Sequence, residues 1–190
     1  SPFYVHALVV NSYIESSYRC VDGSSQIARI MSHNIKEMGG EISVAADKLM
    51  VTKSQTQGTV IDVSQCPDLV PILGVLGSLS KGTTTIINGE RLRFKESDRL
   101  MATADVLNKL GGNVEETADG LVIHGVSGFT GGRVESHNDH RIAMAVAIAS
   151  MRATGKIILD GAEAVNKSYP HFCVDFTAMG GEWIGLDLGK

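Results

Sequence analysis

Apolar positions along the chain follow two patterns. In the first, Ile27, Ile30, Met31, Ile35 and Met38 recur at three- and four-residue intervals, so they share one side of a helix. Leu100, Ala104, Leu107 and Leu110 make a similar stripe after Ser97, which is placed to cap that helix. Both stripes stop at paired glycines, Gly39-Gly40 and Gly111-Gly112. Glycine ends a helix well because it takes the left-handed conformation without a Cβ clash. Each stripe is followed by two short β-prone runs, 41–47 then 49–53 and 113–119 then 121–125. The Ala-Asp-Lys and Ala-Asp-Gly junctions between them suit hairpin turns. The second pattern is nearly unbroken apolarity. The segments 69–79 and 142–149 have almost no polar face, which predicts helices buried on nearly all sides. Pro71 fits the former only in its first turn, where a missing amide costs nothing. Gly82 and Gly155 then precede the β-prone runs Thr83–Ile87 and Ile157–Leu159.

These patterns repeat. IKEMGGEI at 35–42 returns as LNKLGGNV at 107–114 and as FTAMGGEW at 176–183, about 70 residues apart each time. CPDLVPILGVLGSLSKGTTTIING at 66–89 answers NDHRIAMAVAIASMRATGKIILDG at 138–161. SPFYVHALVVNSYI at 1–14 reads as a truncated first copy. Three α/β units around buried helices are expected, in one domain, since no long Pro- or Ser-rich linker divides the chain.

Composition narrows the class. With 190 residues, 43% hydrophobic and 20% charged, the chain is not a mostly disordered one. A net charge of −4 argues against a general nucleic-acid binder. Cys20, Cys66 and Cys173 are odd in number and far apart, giving neither a disulfide framework nor metal-ligand spacing, so a reducing cytoplasm is expected. The apolar runs fall short of a membrane span. The Ser1-Pro2 start has no signal-peptide n-region and suggests a processed or cut chain.

Candidate chemistry gathers at the starts of the helices. Residues 91–100 hold Arg91, Arg93, Lys95, Glu96, Asp98 and Arg99 just before or inside a helix. Free amides at a helix N-terminus, reinforced by Arg and Lys, favour a phosphate or carboxylate. A solvated, salt-linked helix start is the alternative. A second cluster, Glu135, His137, Asn138, Asp139, His140 and Arg141, opens the 142–149 helix, with Asn138 or Asp139 as its cap. His137 and His140 do not match a zinc motif, and Arg141 beside them opposes a cation. Asp68, in the matching place of the preceding copy, either caps its helix or presents a carboxylate to a cleft. Lys167 lies just before Pro170 and the last helix. If equivalent helix starts converge on one face, Asp68, Glu96, Arg99, Arg141 and Lys167 meet there.

Four segments carry a family resemblance. LRFKESDRL at 92–100, HNDHRIAM at 137–144, NKSYPHF at 166–172 and PDLVPIL at 67–73 resemble, in order, motifs of the 5-enolpyruvylshikimate-3-phosphate (EPSP) synthases. The resemblance covers about residues 24–182, and residues 1–23, which lack the family's Gln-Gly-Asp link, fit it poorly. It implies a domain of three βαβαββ units around buried helices, an inside-out α/β barrel, with the first unit incomplete or divergent. The whole chain, residues 1–190, would be a single C-terminal-like domain, lacking the N-terminal domain that completes the cleft.

The implied reaction is transfer of the enolpyruvyl group of phosphoenolpyruvate to the 5-hydroxyl of shikimate 3-phosphate, with release of phosphate. The resemblance assigns Arg99, Arg141, Lys95 and Lys167 to phosphoenolpyruvate and Asp68 to the attacking hydroxyl. Glu96 would transfer the methylene proton, and His140 would orient groups in the same pocket. A donor carrying phosphate and carboxylate suits several fixed cations. No cofactor and no metal are expected, and neither nucleic acid nor membrane is an expected partner. Two other readings stay open: a stand-alone anion-binding or scaffold domain, and half of a UDP-N-acetylglucosamine enolpyruvyl transferase. The patterns carry no reading of oligomeric state.

Overall fold

A computed structural model describes residues 13–17, 24–44 and 48–185. Strand β1 (Tyr13–Ser17) and helix α1 (Ser24–Glu37) lead into a hairpin of β2 (Glu41–Val44) and β3 (Lys48–Thr52). The next stretch is a complete βαβαββ succession. It contains β4 (Val60–Asp62), α2 (Val70–Ser78), β5 (Thr83–Ile87), α3 (Arg99–Lys109), β6 (Asn113–Glu116) and β7 (Leu121–His124). Then follow β8 (Gly132–Glu135), α4 (His140–Ser150), β9 (Ile157–Asp160) and α5 (Phe172–Ala178). Short 3-10 turns at Pro67–Leu69, Glu90–Phe94 and Ala162–Lys167 connect elements around the site.

The nearly polar-free segments are the buried helices. Every residue of α2 is buried, with Pro71 in its first turn, and in α4 Ile142–Ala149 are buried throughout. Helices α2, α3 and α4 pack against one another at the centre. A Cβ on Gly74 of α2 would sit 2.9 Å from Thr103 Cγ2, so glycine sets how closely α2 approaches α3. Met31 and Ile35 of α1, and Met38 just after it, face the core.

The three glycine pairs end their helices in the same way. Gly40, Gly112 and Gly181 each donate an amide hydrogen bond five residues back, to the carbonyls of Ile35, Leu107 and Phe176, at 2.8, 2.8 and 3.0 Å. The preceding Gly39, Gly111 and Gly180 have φ of +77°, +91° and +91°, the left-handed turn that lets this bond close. The 117–120 turn closes through Thr117 N to Gly120 O at 3.0 Å. The companion Ala46-Asp47 turn and the 1–12 segment lie outside the described residues.

Among the described residues, the inside-out barrel does not form. The strands make three separate open sheets, ordered β1-β3-β2, β4-β5-β7-β6 and β8-β9. A barrel needs one hydrogen-bonded ring with no edge. Here β4 and β6 remain edges of the largest sheet, and each turns only one residue, Ile61 or Val114, fully inward. The strands cover the helices as separate patches. Parallel pairing of β4 with β5, and of β8 with β9, follows from the buried α2 and α4 crossovers. Those crossovers bring the starts of α2, α3 and α4 together. No helix among the described residues is long and apolar enough to cross a membrane.

Candidate active site

Asp98 caps α3: it lies in extended backbone, and its carboxylate accepts from Met101 N at 3.1 Å. The expected cap, Ser97, lies one residue too early and instead donates its hydroxyl to Asp139 Oδ2 at 3.1 Å. Arg99 therefore becomes the first helical residue. Its side chain turns inward and is 1% exposed. All three guanidinium nitrogens meet carboxylates at 2.6 Å: Nε with Asp139 Oδ2, Nη1 with Asp68 Oδ1 and Nη2 with Glu96 Oε2. A buried guanidinium requires such compensation, because an unpaired charge there is strongly destabilising.

Asp139 is the cap of α4, one of the two sequence candidates. It is fully buried, and Oδ1 accepts from Arg141 N at 2.8 Å. Burial pushes its carboxyl upward, but hydrogen bonds from Arg99, the Arg141 amide and Ser97 outweigh this and hold it below the usual carboxylate range. Asp139 is therefore an anion fixed between two helix starts. The sequence reading gave it a capping role only. The one available signal was a carboxylate directly before His-Arg and an apolar helix.

Asp68 does not cap α2, whose capping position is Leu69 and carries no side-chain cap bond. Its carboxylate joins three cations: Arg99, Arg141 Nη2 at 3.0 Å and Lys95 Nζ at 3.9 Å. Lys167 Nζ donates to Asn138 O at 2.7 Å and Asn138 Oδ1 at 2.6 Å, next to Asp139. His140 is mostly buried. Desolvation, with Arg141 and Arg99 nearby, lowers its pKa and favours the neutral imidazole. Arg141 Nε is buried without a partner among the described residues. Arg141, Asp68, His140, Pro71, Ser168 and Tyr169 line a cleft of about 290 Å³.

Three cations, Lys95, Arg99 and Arg141, thus meet three carboxylates where α2, α3 and α4 begin, and Lys167 is held beside them on Asn138. The nearby residues Arg91 and Arg93 take no part in this cluster. Arg93 is consumed structurally, bonding Asp98 and Glu116 side chains at 2.9 and 2.7 Å and the Thr117 and Ala118 carbonyls at 2.7 and 3.0 Å. Arg91 lines a separate 190 Å³ depression with Ser64, Pro67 and Asn88. A larger cavity of about 740 Å³, beside Val146, Ile157, Phe176 and Trp183, is lined by none of the residues of the charged cluster. Among the described residues, no His, Cys, Asp and Glu group is arranged to hold a metal ion.

Anchored arginines, an ammonium group and two half-exposed carboxylates can bind an anionic substrate and exchange protons with it. Comparison with known proteins gives this chemistry a family. Residues 2–176 match the EPSP synthase (3-phosphoshikimate 1-carboxyvinyltransferase) family, so the poorly fitting first 23 residues of the sequence reading lie almost wholly inside the match. The 3-phosphoshikimate 1-carboxyvinyltransferase of Clostridium kluyveri is 52% identical over 167 residues, covering 88% of this chain and 39% of that protein. Its counterpart in Clostridium novyi is 48% identical over 191 residues, covering 99% and 43%. The EPSP synthase structure from Acinetobacter baumannii superposes with a TM-score of 0.78 at 27% identity, over 95% of this chain and 44% of that one. The enolpyruvyl transferase NikO from Streptomyces tendae, at 18% identity and a TM-score of 0.80, shares the fold over 95% of this chain and 42% of its own. The chain spans about two-fifths of the length of these curated relatives. It belongs to the EPSP synthase (3-phosphoshikimate 1-carboxyvinyltransferase) family.

Proposed function

We propose that this chain is a single C-terminal-like domain supplying one side of an active site that transfers enolpyruvyl from phosphoenolpyruvate to the 5-hydroxyl of shikimate 3-phosphate. The observation that carries this reading is the meeting of Lys95, Arg99 and Arg141 on Asp68, with Lys167 bonded to Asn138, the residue before Asp139. The cations bind the phosphate and carboxylate of phosphoenolpyruvate, with Arg141, whose side chain is 32% exposed, offering its guanidinium to the cleft.

The reaction proceeds by addition and elimination. The 5-hydroxyl oxygen bonds to C2 while C3 gains a proton and becomes a methyl group. Asp68 lies on the acceptor side and takes the hydroxyl proton. Glu96 serves the methylene carbon, delivering the proton and then removing one as the C2–O bond to phosphate breaks. Neutral His140 orients these groups by hydrogen bonding. Lys95 and Lys167 stabilise the charge that collects on the departing phosphate. The acceptor's remaining contacts come from the N-terminal domain of the complete protein. A cytoplasmic setting agrees with the free thiols of Cys66 and Cys173.

The test measures turnover with both substrates, by phosphate release, for this chain alone and mixed with the N-terminal part of the Clostridium novyi relative. Turnover only in the mixture, abolished by Glu96→Gln or Asp68→Asn, is expected. Efficient turnover by the 190-residue chain alone contradicts the shared-site reading, and an unaffected Glu96→Gln mixture contradicts the residue roles.

A further inference from the structure

We propose that Asn138 is a positioning residue that fixes the Lys167 ammonium group at the mouth of the site. The proposal deepens the enolpyruvyl-transfer reading and rests on it, because Lys167 is there a ligand for phosphoenolpyruvate.

A lysine ammonium ends a flexible four-carbon stem and wanders unless its donors are engaged. Lys167 closes the Ala162–Lys167 turn, so its backbone is held on the cleft side of α4, close to Ser168 and Tyr169 of the cleft wall. Two of its three donors go to a single residue, the main-chain O and side-chain Oδ1 of Asn138. One donor remains for a substrate oxygen.

The backbone of Asn138 is itself forced. His137 and Asn138 are consecutive left-handed residues, with φ of 52° and 56°. Asparagine and histidine enter this region more readily than most side chains, yet a consecutive pair of such residues persists only where its surroundings hold it. The restraints are present. Asn138 N donates to Ser136 Oγ at 3.1 Å, Asp139 N donates to Ser136 O at 3.0 Å, and His137 Nε2 lies 3.1 Å from Asp105 Oδ2 on α3. The left-handed turn is what points both Asn138 oxygens at Lys167. The next residue, Asp139, grips Arg99 and the Arg141 amide. One short loop therefore sets the spacing between the Lys167 charge and the two arginines.

The test uses the 190-residue chain and the variants Asn138→Gly, Asn138→Asp and Lys167→Met. Glycine accepts the left-handed backbone and keeps the main-chain carbonyl, so only Oδ1 is removed. The Lys167 side-chain ammonium signal, followed by NMR, should exchange with water about tenfold faster in Asn138→Gly, while Asn138→Asp, which keeps the oxygen, restores slow exchange. Equal exchange in wild type and Asn138→Gly overturns the proposal. Titration with phosphoenolpyruvate supplies a second readout. Asn138→Gly should weaken binding several-fold, and Asn138→Gly with Lys167→Met should bind no more weakly than Lys167→Met alone. Additive losses overturn the proposal, because Asn138 would then act independently of Lys167. Unchanged affinity in Lys167→Met overturns the phosphoenolpyruvate role of Lys167 instead, while the ammonium signal still decides whether Asn138 holds it.

Discussion

Arg99 and Arg141 open neighbouring helices and share Asp68, yet their surroundings differ. Among the described residues, Arg99 has a carboxylate on every guanidinium nitrogen, whereas the Arg141 side chain has one, through Nη2, and its buried Nε has no partner. The partners of Arg99 are themselves unequal. Asp139 is 0% exposed, while the Asp68 and Glu96 side chains are 41% and 46% exposed. Its Nε end is therefore locked into the fold, and its Nη end faces groups that water and substrate can reach. Arg141 is built the other way round, anchored through its backbone amide to Asp139, with a side chain 32% exposed where that of Arg99 is 1%. One arginine holds the helix starts together, and the other keeps binding capacity in reserve. The single buried carboxylate of Asp139 makes both arrangements possible.

Changing that carboxylate has the largest expected effect. Asp139→Ala leaves the Arg99 charge buried without its innermost partner and uncaps α4, so urea unfolding should show a loss of about 3–5 kcal/mol. A loss below about 1 kcal/mol would mean that Arg99 is not locked. Arg141→Ala sharpens the other side of the comparison. Phosphoenolpyruvate affinity should fall about 10- to 100-fold by calorimetric titration, with unfolding stability nearly unchanged. A variant that unfolds easily but binds normally would reverse the two roles. Ser97→Ala removes one of the hydrogen bonds to Asp139 and should cost about 1 kcal/mol, readable as a small fall in Tm.

The smallest effect concerns pH. Burial, Arg141 and Arg99 lower the pKa of His140 below its usual value of 6.5. The unfolded chain therefore takes up this proton first, and the contribution of neutral His140 to stability, complete above pH about 6.5, is lost as pH falls towards the folded value. Urea unfolding at pH 7.5 and 5.5 should show a smaller acid loss in His140→Gln than in wild type. An identical loss in both would indicate that His140 is not desolvated beside the two arginines.

Much of this arrangement was legible in local pattern. The glycine pairs repeat because each closes the same left-handed helix end, and the polar-free helices follow from central burial. The meeting of Asp68, Glu96, Arg99 and Arg141 could be anticipated because equivalent helix starts point the same way. Features set by distant contacts were not legible. Sheet closure depends on pairing between strands far apart in sequence, and strands such as β4 and β6, with one inward residue each, do not join into a ring. Ser97 reads as the cap, but Asp98 beside it is also of capping type and takes that role, while Ser97 turns to the distant Asp139. Arg93, so close to the cluster, is diverted by the 116–118 backbone and side chains of the following hairpin. Asp139 read as a cap because its second partner, Arg99, lies 40 residues away.

The most direct test follows the two guanidinium Nε–H signals by NMR while phosphoenolpyruvate is titrated into the 190-residue chain. The Arg141 Nε signal should shift as the exposed end of its guanidinium meets the anion, and the Arg99 Nε signal, held by Asp139, should stay in place. Movement of Arg99 with a static Arg141, or no movement of either, would contradict the division between a locked and an available arginine.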